Sequence, residues 1–348
     1  MISTLFLSGY VTALADRDED FRRLPGVTNR KGGLRTDAGE VFDRLEGQGD
    51  AVVCLPPSAT SCQILAAEAP IGRRLTHTDL SDALEAALVH AGGGDQVAVY
   101  VEPSAIKVDG VIKDDLPLGQ AADRLQVEFT ALLSPLSFLR TLEKRLNSAG
   151  LHLQGVIGCE EAAGAALRPD TEDGTYLLFD KWRTKIIRFQ NRQPVRSATV
   201  PLGPGHIADD IAVTLDLDER RGEDLARRIL LGRARHDEKP LLKVVEARLG
   251  ELVSAVANAA NLAGLDLRGS RLAGLPAASD WLRGLAELGV KVEDQRPIWQ
   301  RSDPAIFALA EGARQLVGGA TERSAASAFQ LESQLATTGP LQWLRRNF

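Results

Sequence analysis

Several large protein classes are excluded by what this chain has little of. It has three cysteines in 348 residues, Cys54, Cys62 and Cys159. They stand at no paired spacing, which argues against a disulfide framework and against a structural zinc site. Packed, reduced thiols are the expectation. Five histidines (His77, His90, His152, His206, His236) are dispersed, and no two sit at ligand spacing, so no metal is assigned. Basic clustering is missing: the formal net charge is −6, and nothing resembles a nucleic-acid footprint. No run of eighteen apolar residues occurs, so no segment is expected to span a membrane. The first residues, MISTLFLSGYV, carry no basic residue before their apolar run and do not read as a signal peptide. Nucleophile-elbow, kinase and zinc-protease motifs are absent.

What is present is an ordinary globular composition, 44% hydrophobic and 25% charged, over a length that suits two domains or one multi-lobed unit. The most informative stretch is YLLFDKWRTKIIRFQNRQPVRSATVPLGPGHIADDIA, residues 176–212. Aromatic and β-branched residues bounded by turn residues predict strands at 176–179 and 185–190 and a third running into Pro201. Gly203-Pro204-Gly205 then opens a helix at Ile207. Glycines before a helix start suit a phosphate site. The first hairpin turn does not suit one, because a chain that wraps a phosphate needs small residues there. Here it carries Asp180, Lys181, Trp182 and Arg183.

Elsewhere the pattern alternates strands and helices. A β-hairpin is predicted over residues 4–14, turning at Ser8-Gly9, with a short helix at 38–45 and a strand at 51–55. Apolar residues at Leu80, Ala83, Leu84, Ala87 and Leu88 give the spacing of an amphipathic helix. Strands follow at 97–101 and 125–133, separated by a turn at Asp109-Gly110. Further helices are predicted over 136–149, 218–231 and 240–262. VIGCEEAAGAAL (156–167) reads as a strand running into a small-residue helix, with Cys159 as a packing residue. A last core helix starts at Asp303-Pro304. From 319 to 338 the composition turns to Ala, Ser, Thr, Gln and Glu, as in a linker. The chain ends in GPLQWLRRNF. On a helix, Leu341, Leu344 and Phe348 fall within about 60° of arc at 100° per residue. Trp343 flanks them, and Arg345 and Arg346 can reach anionic lipid. Ten helical residues cover ~15 Å, so such a helix lies on a bilayer and does not cross it. The same residues also suit a docking helix.

VPLGPGHIADDIA resembles the VPxGGxHITxDIA segment of FtsA, the actin-like membrane tether of bacterial cell division. Val108, Asp109, Gly110, Ile112, Pro117, Leu118, Gly119, Arg124, Leu125 and Val127 resemble, in order, the insert subdomain of that family. Glu246, Arg248 and Glu251 match a later helix, and the Trp-Leu-basic-Phe ending is also similar. The resemblance implies an α/β, two-lobed actin-like (ribonuclease H-like) fold with an FtsA-type α+β insert subdomain. Its parts would be the first lobe's N-terminal part at 1–75, the insert at 76–150, the second lobe at 151–302, a closing helix at 303–318, the linker, and a membrane-targeting helix at 339–348.

The same resemblance locates a nucleotide site and shows it altered. The family's Asp-x-Gly-Gly-Gly-Thr-Thr-Asp hairpin places its first acid at Leu178 and its glycines at Asp180, Lys181 and Trp182; Thr184 matches. The first hairpin's Asp-x-Gly-Thr is replaced by Leu7-Ser8-Gly9-Tyr10, which keeps Gly9 alone. The adenosine-holding glycine triplet is Gly274-Leu275-Pro276. Without acids at Leu7 and Leu178, no evident group holds Mg²⁺ near a γ-phosphate. The expectation is a pseudo-ATPase without cofactor, a peripheral scaffold on the inner, cytoplasmic face of a bacterial membrane. Self-association, lipid binding through Leu341, Trp343, Leu344, Arg345, Arg346 and Phe348, and binding of the tubulin-like FtsZ tail are further implied. The alternatives are a filament ATPase that still binds ATP with Mg²⁺, and an adaptor like the pilus-assembly relatives of FtsA.

Overall fold

The computed structural model describes residues 2–7, 11–15, 21–31, 33–44, 49–91, 95–113, 116–167, 173–273 and 279–292. Gly9, Gly274, the helix expected at 303–318, the linker and the tail residues 339–348 lie outside them.

In chain order the elements are β1 (Ile2–Phe6), β2 (Val11–Ala15), β3 (Phe21–Pro25), α1 (Ala38–Asp43), β4 (Gly49–Cys54), β5 (Ser61–Arg74), α2 (His77–Ala91), β6 (Gln96–Val108), β7 (Val111–Lys113), β8 (Ala121–Pro135), α3 (Leu136–Ser148), β9 (Leu151–Ile157), α4 (Cys159–Ala166), β10 (Gly174–Phe179), β11 (Thr184–Gln190), β12 (Gln193–Val200), α5 (Pro204–Leu215), α6 (Glu219–Leu230), α7 (Leu242–Leu262), β13 (Arg271–Ala273) and α8 (Arg283–Glu287). They form three sheets, ordered β3-β2-β1-β4-β9, β5-β8-β6-β7 and β12-β11-β10-β13.

The first sheet is antiparallel on its hairpin side and parallel from β1 through β4 to β9. Its parallel strands become apolar on both faces toward their C-terminal ends, at Leu5-Phe6, Ala51–Cys54 and Val156-Ile157, as strand segments covered on both sides must be. Leu5, Ala51 and Val53 point into one core with α1 and α3, and Phe6, Val52 and Cys54 into another. That second core is shared with the other lobe. It joins Ala162, Ala163 and Ala166 of α4 to Tyr176, Leu178, Ile187 and Phe189 of β10 and β11. Strand β10 alternates, sending Leu177 and Phe179 to the opposite face under α5, α6 and α7. Thus α4 lies between the two lobes, and its small residues allow their close approach.

The small sheet is antiparallel and continuous with the first lobe's core through Leu125, Val127, Leu132 and Leu133. Its VDG sequence has a local cause. Asp109 and Gly110 make a two-residue turn between Val108 and Val111, with φ of 50° and 81°, the geometry favoured in such hairpins. The Asp109 carboxylate then accepts the amides of Asp123 and Arg124, tying the hairpin to β8.

Two strands escape the sequence pattern. β3 reads FRRLP, polar for a strand, and β5 contains Pro70 and Gly72, which read as breaks. β5 is an edge strand whose register with β8 shifts between Pro70 and Arg73, the situation in which proline is tolerated. The small sheet therefore starts at Ser61, within the stretch assigned above to the first lobe. It ends at Pro135, and α3 packs chiefly on β9 of the first sheet and on α1.

The hinge helix is held at its C-terminal end by the β11–β12 turn. Arg192 donates to the carbonyls of Gly164 and Ala165, and a Cβ on Gly164 would fall on the Arg192 carbonyl oxygen. Gly164→Ala is expected to destabilise the protein by about 1–3 kcal/mol, the range for overpacking. Urea unfolding with an unchanged m-value checks it, and an unchanged midpoint would remove this contact from the account of the hinge.

Candidate functional site

The hairpin β10–β11 stays in register up to Phe179↔Thr184, so residues 180–183 form its turn, closed by the Asp180 amide on the Arg183 carbonyl at 2.9 Å. This is the turn at which the resemblance places an altered phosphate loop. The turn is buried instead of open: Asp180, Lys181 and Trp182 are 5%, 4% and 7% exposed. It rests directly on the start of α5. The Gly205 amide donates to the Lys181 carbonyl at 2.7 Å. A Cβ on Gly203 would come within 2.5 Å of the Asp180 carbonyl oxygen, and one on Gly205 within 2.7 Å of the Lys181 carbonyl oxygen. The glycines thus serve the close approach of the protein's own backbone. One of the free amides at the helix N-terminus, a natural anion site, is taken by a carbonyl.

Several side chains around this turn are committed as well, although among the described residues no hydrogen bond reaches the buried Asp180 Oδ2. Thr184 donates its hydroxyl to the Leu202 carbonyl at 2.8 Å. Trp182 donates Nε1 to the Thr28 carbonyl at 3.2 Å, a bond from second lobe to first. Its ring meets His206 edge-on at 5.5 Å. His206 accepts the Gly203 amide on Nδ1 at 3.2 Å, and burial holds its pKa below the ordinary value. It is a neutral packing residue at neutral pH. Lys181 lies 4.7 Å over the Trp182 ring and pairs with Glu219 at 2.8 Å and with Glu223. The two positions expected to have lost acids are apolar core: Leu7 packs in the first lobe, and Leu178 beside Cys54 and Cys159.

A carboxylate does enter the space between the lobes, from an element the motifs did not mark. Glu160, in the first turn of α4, meets Lys185 of β11 at 2.7 Å, and neither side chain has any exposure. Lys185 also donates to the Thr60 carbonyl at 2.5 Å and to Thr199 Oγ1 at 2.9 Å. Glu160 accepts from Thr60 Oγ1 at 2.8 Å, Cys159 Sγ at 3.1 Å and Ser197 Oγ at 3.2 Å. Removing two charges from water is costly. The arrangement offsets that cost by giving each charge several partners, drawn from the β4–β5 loop, α4, β11 and β12. Burial alone would push the Glu160 carboxyl up, but the Lys185 charge and the hydrogen bonds from Lys185, Cys159 and Thr60 together hold it below the ordinary glutamate value. The thiols go the other way. Burial, reinforced by Glu160, pushes Cys62 up to about 12, and Cys159 rises well above the usual thiol range. These are inert, protonated thiols. Among the described residues no group of three metal-ligating side chains occurs.

Comparison with known proteins follows from this geometry. No family model matches the sequence. The cell division protein FtsA of Bacillus subtilis (strain 168) is 30% identical over 163 residues, 46% of this chain. The chain spans 37% of that relative's length. Among solved structures, the PilM-PilN type IV pilus biogenesis complex covers 90% of this chain and 98% of its own, with a TM-score of 0.60 at 15% identity. MreB5 of Spiroplasma citri bound to ADP gives 0.50 at 10% identity, covering 93% and 98%. The MamK double helical filament gives 0.50 at 9% identity, covering 91% and 99%.

The chain has the two-lobed actin-like fold, and over 163 residues its sequence is similar to FtsA.

The structure brings Asp180, Lys181, Trp182, Thr184, Gly203 and Gly205 together around one turn. Leu178 lies just behind them, and Leu7 belongs to the first-lobe core. Gly9, Gly274 and the tail residues Leu341, Trp343, Leu344, Arg345, Arg346 and Phe348 are outside the described residues. The motifs missed Glu160, Thr60, Ser197, Thr199 and Thr28. The available signal was slight: one lysine in an otherwise apolar strand and one acid in an alanine-rich helix.

The Glu160 carboxyl makes a pH prediction. A folded-state pKa below the unfolded value contributes stability that is fully present above the unfolded value, about 4.3, and lost as pH falls through the folded one. The acid limb of the stability curve should therefore flatten in Glu160→Gln relative to wild type. Urea midpoints measured from pH 6 downward check this, and parallel limbs would remove Glu160 from the acid response.

Proposed function

We propose that this FtsA-like chain is a non-enzymatic, actin-like scaffold that tethers a bacterial division or cytoskeletal assembly to the inner face of the membrane. The observation that carries the reading is the hairpin turn of residues 180–183. It is seated on Gly203 and Gly205, its Lys181 carbonyl takes the Gly205 amide that a phosphate would need, and the Lys181 ammonium is paired with Glu219 and Glu223. The apolar packing of Leu7 and Leu178 supports the same reading, since no acid stands at either position to hold Mg²⁺. ATP with Mg²⁺ as cofactor, as in a nucleotide-switched filament, is the competing reading.

The membrane claim rests on the sequence of the tail. Each large apolar side chain buried in a bilayer contributes about 1.5–3 kcal/mol, and ordering two or three helical turns opposes this. One copy attaches weakly, and self-association converts weak attachment into avidity. Lipid, other copies of the chain, and FtsZ or another division protein are the proposed partners. An adaptor role, binding a short peptide of a membrane protein, is the second reading. It is favoured by the fold match to the PilM-PilN complex.

Two measurements test these statements. Titration calorimetry of the full chain with Mg-ATP is expected to give no saturable heat up to about 1 mM, an affinity no better than about −4 kcal/mol. Micromolar, Mg²⁺-dependent binding would return the nucleotide-switched filament to first place. Removal of residues 341–348 is expected to abolish co-sedimentation with liposomes containing anionic lipid. Equal pelleting with and without them would end the membrane claim and favour the adaptor.

A further inference from the structure

We propose that the buried Glu160–Lys185 pair, with its hydroxyl and carbonyl partners, is a built-in lock that fixes the two lobes against each other without a nucleotide between them. The inference rests on the scaffold reading above and adds how its cleft is regulated: by the protein's own charges.

The pair is placed for this role by topology. Glu160 starts the helix between the lobes. Thr60 stands in the loop between β4 of the first lobe and β5 of the small sheet. Lys185, Ser197 and Thr199 belong to β11 and β12 of the second lobe. Lys185 Nζ bridges them by reaching both Glu160 and the Thr60 carbonyl across the junction. Ser197 does so a second time, donating to Glu160 Oε1 at 3.2 Å while accepting the Cys62 amide at 3.1 Å. The Cys62 amide comes from β5, whose other edge is paired with β8, so this bond is a direct link from the small sheet to the second lobe.

Two further links close the same junction farther out. Trp182 Nε1 donates to the Thr28 carbonyl, and Arg30 pairs with Asp209 of α5 at 3.4 Å. Both come from the loop that follows β3. The exposed Arg30 pair is weak by nature. The buried one is strong in a particular sense: losing one partner leaves a lone buried charge, whereas losing both does not. Opening the cleft would strip Glu160 and Lys185 of one another without giving either a protein substitute. The lobes are therefore held shut by the cost of separating the charges, and the space they fill is not available to a γ-phosphate or its metal.

The test is amide hydrogen exchange of the full chain, read at Cys62, whose amide bonds across the junction. Ile187 in the β10–β11 ladder serves as the internal control. In Lys185→Met the Cys62 amide is expected to exchange about tenfold faster or more, with Ile187 unchanged. Should that variant not fold, the double variant Glu160→Gln with Lys185→Met buries no lone charge, and it is expected to fold with Cys62 still accelerated. An unchanged Cys62 rate in the folded variant would overturn the lock. So would a wild-type rate that falls about tenfold on adding Mg-ATP, because nucleotide would then supply the bridging. Wild-type chain that binds ATP by calorimetry yet keeps its Cys62 rate would defeat the scaffold's nucleotide independence while leaving the lock standing.

Discussion

The Glu160–Lys185 ion pair is the constraint on which the arrangement of the lobes depends. Two fully buried opposite charges are held at 2.7 Å, where the β4–β5 loop, the inter-lobe helix and the second-lobe sheet converge. Their neighbourhood is ordered by the need to satisfy them. Thr60 serves both partners, with its hydroxyl on Glu160 and its carbonyl on Lys185. Ser197, half-buried, and Thr199, exposed, place hydroxyls on alternate residues of β12, and both are used. Neither charged side chain has any exposure, which strengthens the attraction and raises the cost of breaking it.

Such an arrangement is not an argument for high stability. A well-packed apolar replacement of both partners is often neutral or stabilising. What the pair supplies is uniqueness of geometry, because few lobe orientations satisfy all of the bonds at once. The neighbouring turn works in the same direction. Trp182 spans the junction to Thr28, and Lys181 is held between Glu219 and Glu223 of α6. Two of the cations here are thus neutralised locally, Lys181 by α6 and Lys185 by α4, while among the described residues the half-buried Arg183 has only the charge of Asp180 nearby.

Much of this fold is legible in the sequence where local patterning and tertiary burial agree. YLLFDKWRTKIIRFQ reads as a hairpin because its strands are apolar and β-branched, and the structure makes β10 and β11 of them. The helix after Gly203-Pro204-Gly205 and the VDG turn are legible for similar reasons. β3 and β5 are not, since FRRLP has no alternation and Pro70 and Gly72 mimic a loop; their pairing is imposed by the neighbouring strands. The small sheet's start at Ser61 was hidden by the same edge-strand irregularity. The altered turn was legible as an absence of glycine. Its replacement was not, because Glu160 and Lys185 pair through the fold and no spacing rule connects a helix start to a strand 25 residues on. A lysine in a strand ordinarily signals a solvated face, and only the residues around it show that the face is closed.

A locked junction changes what can control assembly in the proposed scaffold. Where nucleotide sets the angle between two lobes, the ligand biases a two-state element, and assembly follows the ligand. A protomer whose lobes are joined by its own buried charges has no such element to bias at that place, since a ligand without differential affinity shifts nothing. Control must then act on the concentration of protomers. A membrane surface does this directly: weak attachment of each copy confines many copies together, and each contact between copies strengthens the attachment of all. In the proposed scaffold the closed cleft and the tail sequence would be two halves of one design, the first removing a nucleotide switch and the second supplying a surface in its place.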